Sequence, residues 1–266
     1  MSASRKQGAS SAVRRFYDEL ATDYHRIFRD WDVSMAHQAE VLDRLLTDRL
    51  GRGPHRLLDC ACGIGTQAIG LARLGHTVVG SDLSPRAAAR AVREAALRDT
   101  HLSAVAADMR ALPFAPGTFD AVVCADNALP HLLTPDDVRA ALTAMRAMLV
   151  DSGPLVLTVR DYDELRRDRP ATTPPQHRVT PDGGESVTVQ LWHWHDDGER
   201  YDLRHLQMIR EGSDWRVQER RTTYWALTRA QLTGFLTDAG FTEVTWQTPE
   251  STGFFQPVVT ASAGSR

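Results

Sequence analysis

The stretch Arg56-Leu-Leu-Asp59-Cys-Ala61-Cys-Gly63-Ile-Gly65 decides the fold of this chain of 266 residues. Its apolar start predicts a short buried strand, and its two glycines predict a tight loop that leads into a helix. Glycine lets a ligand approach the backbone closely, and the N-terminus of the helix carries partial positive charge. The stretch therefore predicts a ligand-binding turn between a strand and a helix.

Strands and helices alternate outward from this turn as far as residue 165. Further strands are predicted at 77–80, 102–106, 119–124 and 155–159, with helices between them. A helix at 228–238 and strands at 241–246 and 255–261 return the chain to the same sheet. This alternation predicts an α/β protein with a mostly parallel sheet covered by helices on both faces.

The pattern changes on either side of this core. Residues 166–182 predict an exposed loop, and 186–194, 200–210 and 215–225 predict an antiparallel meander. Apolar spacing predicts helices at 13–30 and 34–50. The predicted segments are a disordered tail (1–12), an N-terminal helical cover (13–50), a ligand-binding core (51–165), an antiparallel β lid (166–227) and a C-terminal helix with closing strands (228–266).

Composition narrows the class of protein. Hydrophobic residues at 42% and charged residues at 24% exclude bulk disorder, and a net charge of −3 lacks the basic footprint of a nucleic-acid binder. No apolar run is long enough for a membrane helix, and the first residues do not form a secretory signal. Three cysteines, two of them flanking Ala61, indicate a reducing compartment. We therefore expect a cytoplasmic protein with a small-molecule substrate, no nucleic-acid or membrane partner, no metal, and a possible homo-oligomeric state.

Acidic residues follow three successive predicted strands, at Asp59, Asp82 and Asp108. Taken without Asp59, the pattern of Gly63, Gly65 and Asp82 would fit the fingerprint of a dinucleotide-binding site. Asp59, however, would repel a pyrophosphate and suits a cationic ligand such as S-adenosylmethionine (SAM), with its sulfonium and ammonium groups. Asp82 could then bind the ribose and Asp108 the adenine amino group. The alternatives are a loop or capping role for Asp59 and a helix N-cap for Asp82.

The segments Leu57–Thr66, Val79–Ser84 and Ala107–Met109 resemble the ordered SAM-binding motifs of class I methyltransferases. The segments Cys124–Leu132 and Val159–Leu165 resemble the branch that contains glycine and glycine/sarcosine N-methyltransferases, and the similarity spans roughly residues 16–262. This resemblance implies a Rossmann-like sheet of seven strands whose last strand is antiparallel. It also implies SAM across the carboxyl edge of the sheet, beneath the N-terminal cover and the lid.

The resemblance and the strand ends together predict the site residues. The predicted cofactor contacts are Tyr24, Trp31, Asp59, Ala61, Gly63, Gly65, Asp82, Leu83, Asp108, Met109 and Asp126. The predicted catalytic residues are Tyr24, Asn127 and His131, and the predicted substrate contacts are Tyr17, Arg160, Trp192, Trp194 and Tyr224. Tyr17, Asp126, His193 and His195 are further candidates for a proton acceptor.

The predicted activity is transfer of a methyl group from SAM to a small molecule. Such a displacement mainly requires alignment and exclusion of water, and a base only when the acceptor arrives protonated. The aromatic lid favours an aromatic or indolic natural-product amine from secondary metabolism, methylated on nitrogen or carbon. An amino-acid acceptor held by Arg160 is the alternative. A nucleic-acid methyltransferase, an NAD-dependent oxidoreductase and a non-catalytic SAM-binding module are the other candidates.

Overall fold

The structure is a computed structural model that describes the backbone of residues 3–180 and 183–264, and side chains from residue 10 onward. In chain order its helices and strands are α1 (Ala3–Leu20), α2 (Trp31–Leu50), β1 (Arg56–Cys60), α3 (Thr66–Arg73), β2 (Thr77–Asp82), α4 (Pro85–Ala96), β3 (Ser103–Ala106), β4 (Ala121–Cys124), α5 (Pro135–Met148), β5 (Pro154–Thr158), α6 (Tyr162–Asp168), β6 (Gln176–Val179), β7 (Glu185–Trp194), β8 (Arg200–Glu211), β9 (Asp214–Trp225), α7 (Arg229–Asp238), β10 (Phe241–Gln247), α8 (Pro249–Thr252) and β11 (Val258–Ala263). Short 3₁₀ turns lie at Tyr24–Ile27 and Leu129–His131.

The main sheet has seven strands in the order β3-β2-β1-β4-β5-β11-β10. The first five are parallel, and β11 runs antiparallel to both of its neighbours. This arrangement confirms the predicted α/β class, the Rossmann-like sheet and the antiparallel last strand. The strand order reverses at β1 and β4, where open α/β sheets form a crevice at their carboxyl edge.

Local sequence explains where the helices begin. Ser84 caps α4 by accepting a hydrogen bond from the N–H of Ala87, and Pro85 occupies the first turn. Thr228 and Gln231 form a reciprocal capping box at the start of α7. The Ser84 cap places the start of α4 directly after β2, at the same edge as the glycine loop.

The second sheet, β6-β7-β8-β9, is antiparallel and forms the lid that the sequence predicts. Its long strands pair in register, with Tyr201 opposite both Trp194 and Tyr224. The segment 166–182, which we expect as a loop, instead contains the end of α6 and the strand β6. Backbone pairing such as His177 opposite Val187 forms this strand, although its sequence carries no apolar alternation.

The N-terminal cover differs from the prediction in two ways. Residues 3–12, predicted as disordered, belong to α1, while Met1 and Ser2 lie outside the described residues. The helix predicted over 13–30 ends at Leu20, and after a 3₁₀ turn Asp30 caps a new helix by accepting from the N–H of Val33. The helix α2 therefore begins at Trp31 and not at Ser34.

None of the helices in the described part of the chain is long and apolar enough to cross a membrane. Cys60, Cys62 and Cys124 are buried and free. Two hydrophobic cores cover the two faces of the main sheet, and one of them also contains the inner side chains of the lid.

Candidate functional site

A cavity of about 1260 Å³, part of which opens to solvent, lies at the carboxyl edge of the main sheet. Its floor comes from the loops that follow β1, β2, β3 and β4. Its roof comes from α1 and from Tyr24. The lining includes Ser10, Val13, Tyr17, Tyr24, Ala61, Gly63, Asp82, Leu83, Asp108, Met109, Arg110, Asp126, His131 and Leu133. Much of the predicted cofactor site therefore meets in one cavity.

The glycine loop has a backbone shape that ordinary residues rarely adopt. Gly65 has φ of +97°, and a Cβ there would lie 2.7 Å from Cδ1 of Ile69, so the helix start requires glycine. A Cβ at Gly63 would meet nothing within 4 Å, which leaves open space beside that residue. Ala61 has φ of +80°, and its N–H donates to the carbonyl of Ser81 at 2.7 Å. The loop is therefore tied to β2 and presents bare backbone to the cavity.

Asp82 holds this loop in place. One carboxylate oxygen accepts from the N–H of Gly63 at 2.9 Å, and the other accepts from the N–H of Ser84 at 2.7 Å. Burial raises the pKa of Asp82 to about 6, although both N–H groups favour the charged form. Each oxygen retains a lone pair for a further donor.

Asp59 lies behind the loop and is 1% exposed. Neither oxygen has a partner with hydrogen-bond geometry among the described residues. Burial and the nearby charge of Asp82 raise its pKa to about 7, which the N–H of Ala68 only partly opposes. Asp59 is absent from the residues that line the cavity, so its predicted direct contact with the cofactor stays a prediction.

Asp108 is engaged by the neighbouring Arg110. The guanidinium donates to both carboxylate oxygens, at 3.0 and 2.6 Å, and also to Asp137 at 2.7 Å and to Ser10 of α1 at 2.6 Å. Burial alone would raise the pKa of Asp108, but the hydrogen bonds from Arg110 outweigh it and lower the pKa. Arg110 thus links a predicted adenine contact to the roof of the cavity.

Two hydrogen-bonded pairs form the other end of the cavity. The Tyr24 hydroxyl donates to Oδ2 of Asp126 at 2.7 Å, and the Tyr17 hydroxyl lies 2.8 Å from Nε2 of His131. Burial raises the pKa of Asp126, although Tyr24 and Arg160 favour its charged form. Burial and then Arg160 lower the pKa of His131 to about 3, so its imidazole is neutral at physiological pH.

Asn127 does not line the cavity, contrary to what a catalytic role would require. Asp126 and Asn127 both have positive φ, at +55° and +63°. This turn directs the Asn127 side chain inward, where it accepts from the N–H of Arg160 at 3.1 Å and donates to the Tyr162 hydroxyl at 2.9 Å. Its amide therefore positions neighbouring residues.

The predicted substrate contacts on the lid pack together and do not line the cavity. Trp192 stacks on Tyr201 with ring centres 4.5 Å apart, and Tyr201 in turn stacks on Tyr224 at 5.5 Å. The Arg160 guanidinium lies over Trp192 and Tyr224, at 4.9 and 5.3 Å. These rings exclude water by contacting one another, so they act as core.

Other predicted residues also lie outside the cavity lining. Trp31 donates its indole N–H to Thr66 at 2.9 Å and so fixes the first turn of α3. The Trp194 indole N–H donates to the carbonyl of Pro170 at 3.1 Å. His193 is exposed, and His195 lies 3.2 Å from Asp202, so neither of these two predicted proton acceptors faces the cavity.

Part of the roof is formed by residues that the sequence does not predict for the site. Ser10 and Val13 line the cavity together with Tyr17, at the three- and four-residue spacing of one helix face. The same spacing is visible in the sequence, but Ser10 falls within residues 1–12, which are expected to be a disordered tail. Arg110 is also not predictable from the sequence, because only the folded chain brings it to Ser10 and Asp137.

Comparison with known proteins supports the fold and its central motifs. A family described as a methyltransferase domain matches residues 57–153. A glycine/sarcosine N-methyltransferase from Parasynechococcus marenigrum is 38% identical over 150 residues, which are 56% of this chain and 52% of the relative. One from Halorhodospira halochloris is 32% identical over 51% of this chain and 50% of the relative. The chain thus matches about half the length of these curated relatives.

Solved structures share the fold at low sequence identity. A SAM-dependent methyltransferase from Clostridium acetobutylicum has a TM-score of 0.75 at 15% identity, covering 94% of this chain and 99% of its own. An amino pentose methyltransferase from Micromonospora echinaspora, solved with SAM bound, has a TM-score of 0.69 at 22% identity, covering 86% and 92%. Residues 57–153 of the chain thus match a methyltransferase domain, and the chain as a whole shares the fold of these solved methyltransferase structures.

Proposed function

We propose that this chain transfers the methyl group of SAM to an amine nitrogen of a small molecule. The observation that carries the proposal is one cavity with two chemically different ends. Bare backbone, Asp82 and Asp108 form one end, and Tyr17, Tyr24, Asp126 and His131 form the other. The first end suits a nucleoside, and the second suits an amine.

The cofactor end fits SAM in three respects. The space beside Gly63 admits a ligand close to the backbone, and the free lone pairs of Asp82 can accept from ribose hydroxyls. The orphaned carboxyl of Asp59 lies behind the loop, and the positive charge of bound SAM would favour its ionised form. SAM, when bound there, supplies an electrophilic methyl group.

The acceptor end can bind and deprotonate an ammonium group. Asp126 attracts the cation, and its raised pKa makes its carboxylate a better proton acceptor than that of an ordinary aspartate. His131 is a poor base because its pKa is low, so we assign it to hold Tyr17 in place. In this scheme Asp126 takes the proton at Oδ1 or Oδ2, and α1 excludes water.

Two acceptor classes follow from different observations. Neighbours in fold that include a sugar N-methyltransferase favour a natural-product amine, which includes the aromatic and indolic amines expected from the sequence. An amino-acid acceptor is favoured by the glycine/sarcosine relatives. Its predicted carboxylate contact, Arg160, lies outside the cavity lining and donates to the Tyr201 hydroxyl at 2.8 Å and to Gln190 at 3.3 Å, so it would have to exchange these partners to bind a carboxylate. The lid aromatics pack against one another, so they lend no support to a bulky acceptor. Both acceptor classes contain an amine, and methylation on nitrogen is therefore the part of the proposal that they share.

Calorimetric titration with SAM tests the cofactor assignment. Asp82→Ala should raise the dissociation constant at least about tenfold, because a charge-assisted hydrogen bond contributes ~1.5–3 kcal/mol. Asp120→Ala is the matched control, since Asp120 also accepts from a backbone N–H, that of Arg56, but lies outside the cavity lining. Equal SAM affinity in wild type and Asp82→Ala would contradict the assignment.

Product masses from SAM and a panel of sugar amines, indolic amines and amino acids test the acceptor. Asp126→Asn should lower kcat by about 10²–10⁴-fold on a protonated amine, the usual range for a lost base. Arg160→Ala should raise KM only for acceptors that carry a carboxylate. If the wild type binds SAM but methylates no amine, the acceptor assignment fails while the cofactor assignment stands.

A further inference from the structure

Asp23 lies in the loop between α1 and α2 and does not belong to the cavity lining. It directly precedes the 3₁₀ turn at Tyr24–Ile27, a position from which an aspartate ordinarily caps a helical turn by accepting from a backbone N–H. The Asp23 side chain makes no such bond, although the residue is only 5% exposed. Its carboxylate is turned towards the lid instead.

Three guanidinium groups surround this buried carboxylate. Arg216 of β9 lies 3.3 Å from it, Arg220 of the same strand 3.6 Å, and Arg26 of the loop 3.6 Å. The Arg220 side chain is 3% exposed, so it and Asp23 are buried as a compensating pair. Removal of one member of such a pair leaves an uncompensated buried charge. Asp23 therefore anchors the loop to β9 through charge.

Hydrogen bonds from the lid also hold the backbone of this loop. The amide of Gln207, a fully buried residue of β8, donates to the carbonyl of Asp23 at 3.2 Å. The hydroxyl of Ser186 in β7 donates to the carbonyl of Arg26 at 3.1 Å. The three long strands of the lid thus hold the loop on both sides of Tyr24.

The start of the same loop is attached to α4. The Arg90 guanidinium donates to the carbonyl of Ala21 and, at 2.8 Å, to that of Thr22. Tyr24 follows this attachment, and its hydroxyl donates into the cavity, to Oδ2 of Asp126 at 2.7 Å. A loop held by α4 at one end and by the lid at the other keeps this hydroxyl in place only while both attachments are intact.

We propose that the ion pairs between Asp23 and the lid position the Tyr24 hydroxyl on Asp126, which makes Asp23 a positioning residue for methyl transfer. This role rests on Asp126 being the proton acceptor, as proposed above. The hydrogen bond from Tyr24 favours the charged form of Asp126, and a carboxylate can accept a proton only in that form. Loss of the lid contacts would therefore leave more Asp126 protonated and the acceptor end less active.

Substitution of Arg216 tests this role, because its side chain is 34% exposed and its loss should leave the fold intact. On the amine that the wild type methylates fastest, Arg216→Gln should lower kcat about 3–10-fold. The acid limb of the kcat–pH profile should move to higher pH by up to about one unit, as Asp126 loses a stabilising donor. In a Tyr24→Phe background the same substitution should change neither quantity further.

Arg204→Gln is the matched control for Arg216→Gln. It also removes a lid arginine paired with a glutamate, Glu219 at 2.8 Å, but one that forms no ion pair with Asp23 among the described side chains. Its kcat and pH profile should stay at wild-type values. A wild-type kcat in Arg216→Gln, or an equal loss with and without the Tyr24 hydroxyl, would overturn the proposal.

Urea unfolding of the same variants measures the coupling without any activity. If Arg216 acts on Tyr24 through Asp23, Arg216→Gln and Tyr24→Phe together should raise the unfolding constant at least about threefold less than the product of their separate effects. Residues that stabilise the fold independently would act additively, and additivity would also overturn the proposal. A wild type that methylates no amine would instead refute the proposed activity, while a non-additive cycle would still show that the lid positions Tyr24.

Discussion

At the scale of single residues, the centre of the molecule carries an unusual carboxyl. Asp59 is the fourth of the five residues of β1, a strand that is buried after its first residue, and no hydrogen bond with proper geometry satisfies it among the described residues. Burial of an unpaired charge costs several kcal/mol, so the proton is retained. The folded protein therefore holds on Asp59 a proton that the unfolded chain releases.

The raised pKa of Asp59 predicts how the free energy of unfolding depends on pH. The unfolded pKa is near 3.8 and the folded pKa about 7, so the folded state binds more protons between these values. The free energy of unfolding should fall as pH rises through that window, by up to ~4 kcal/mol at about 1.4 kcal/mol per pKa unit. Asp82, with its pKa of about 6, contributes in the same direction.

Urea unfolding of Asp59→Asn from pH 4 to pH 8 measures the effect. The variant should lose less stability than wild type as pH rises and should be the more stable protein at pH 8. Asp136→Asn, which removes a carboxylate whose side chain is 80% exposed, is the control and should retain the wild-type slope. Parallel curves for wild type and Asp59→Asn would show that Asp59 ionises normally.

At the scale of elements, α1 is the part that closes the cavity. Polar contacts along its length attach it to the core: Ser10 to Arg110, Tyr17 to His131, and Asp18 to Ser84 at 2.5 Å. Its apolar anchors Phe16 and Leu20 lie in the core beside the lid. An element held mainly by separate side-chain bonds can open without unfolding the sheet.

Arg110→Ala should therefore loosen α1. Loss of its charge-assisted bonds, at ~1.5–3 kcal/mol, should speed amide exchange of residues 10–20 by about 10–100-fold and leave β1 and β4 unchanged. Hydrogen exchange read by mass spectrometry measures this. Arg139→Ala is the control, because it also removes an arginine that pairs with an aspartate, Asp238 of α7 at 3.4 Å, and not with a residue of α1. If amide exchange became faster to the same extent throughout the chain in both variants, Arg110 would not be holding α1 in particular.

At the scale of the whole molecule, lid and sheet share one core. Trp192, Tyr201 and Tyr224 of the lid belong to the same buried cluster as Val122 and Leu157 of the main sheet. The Tyr201 hydroxyl also accepts from the Arg160 guanidinium at 2.8 Å. Since neither part can lose these contacts alone, we expect them to unfold together.

Calorimetry of Tyr201→Ala tests this coupling. Removing a buried aromatic ring costs about 3–5 kcal/mol, and the variant should show one transition at a lower Tm for the whole protein. Phe255→Ala, at a ring 55% exposed, should change Tm little. A second, separate transition in Tyr201→Ala would mean that the lid is an independent unit.

Much of the fold follows from sequence alone. The glycine loop, the acids at strand ends and the strand–helix alternation are local patterns, so the parallel sheet and the cofactor end of the cavity could be predicted. Asp82, Gly63, Asp108 and Tyr24 lie in the cavity for that reason. Residues such as Ser10 and Arg110 could not be placed, because their roles depend on contacts about 100 residues apart.

Tertiary structure alone decided what the lid aromatics do. Alternation along β7, β8 and β9 determines which rings share a face, but not whether that face is open or closed. Stacking of Trp192, Tyr201 and Tyr224 beside Arg160 closes it, since rings gain more by contact with each other than by lining a wet cavity. The sequence by itself determined a methyltransferase-like sheet with its nucleoside end, and the packing of distant segments decided the shape of the acceptor end.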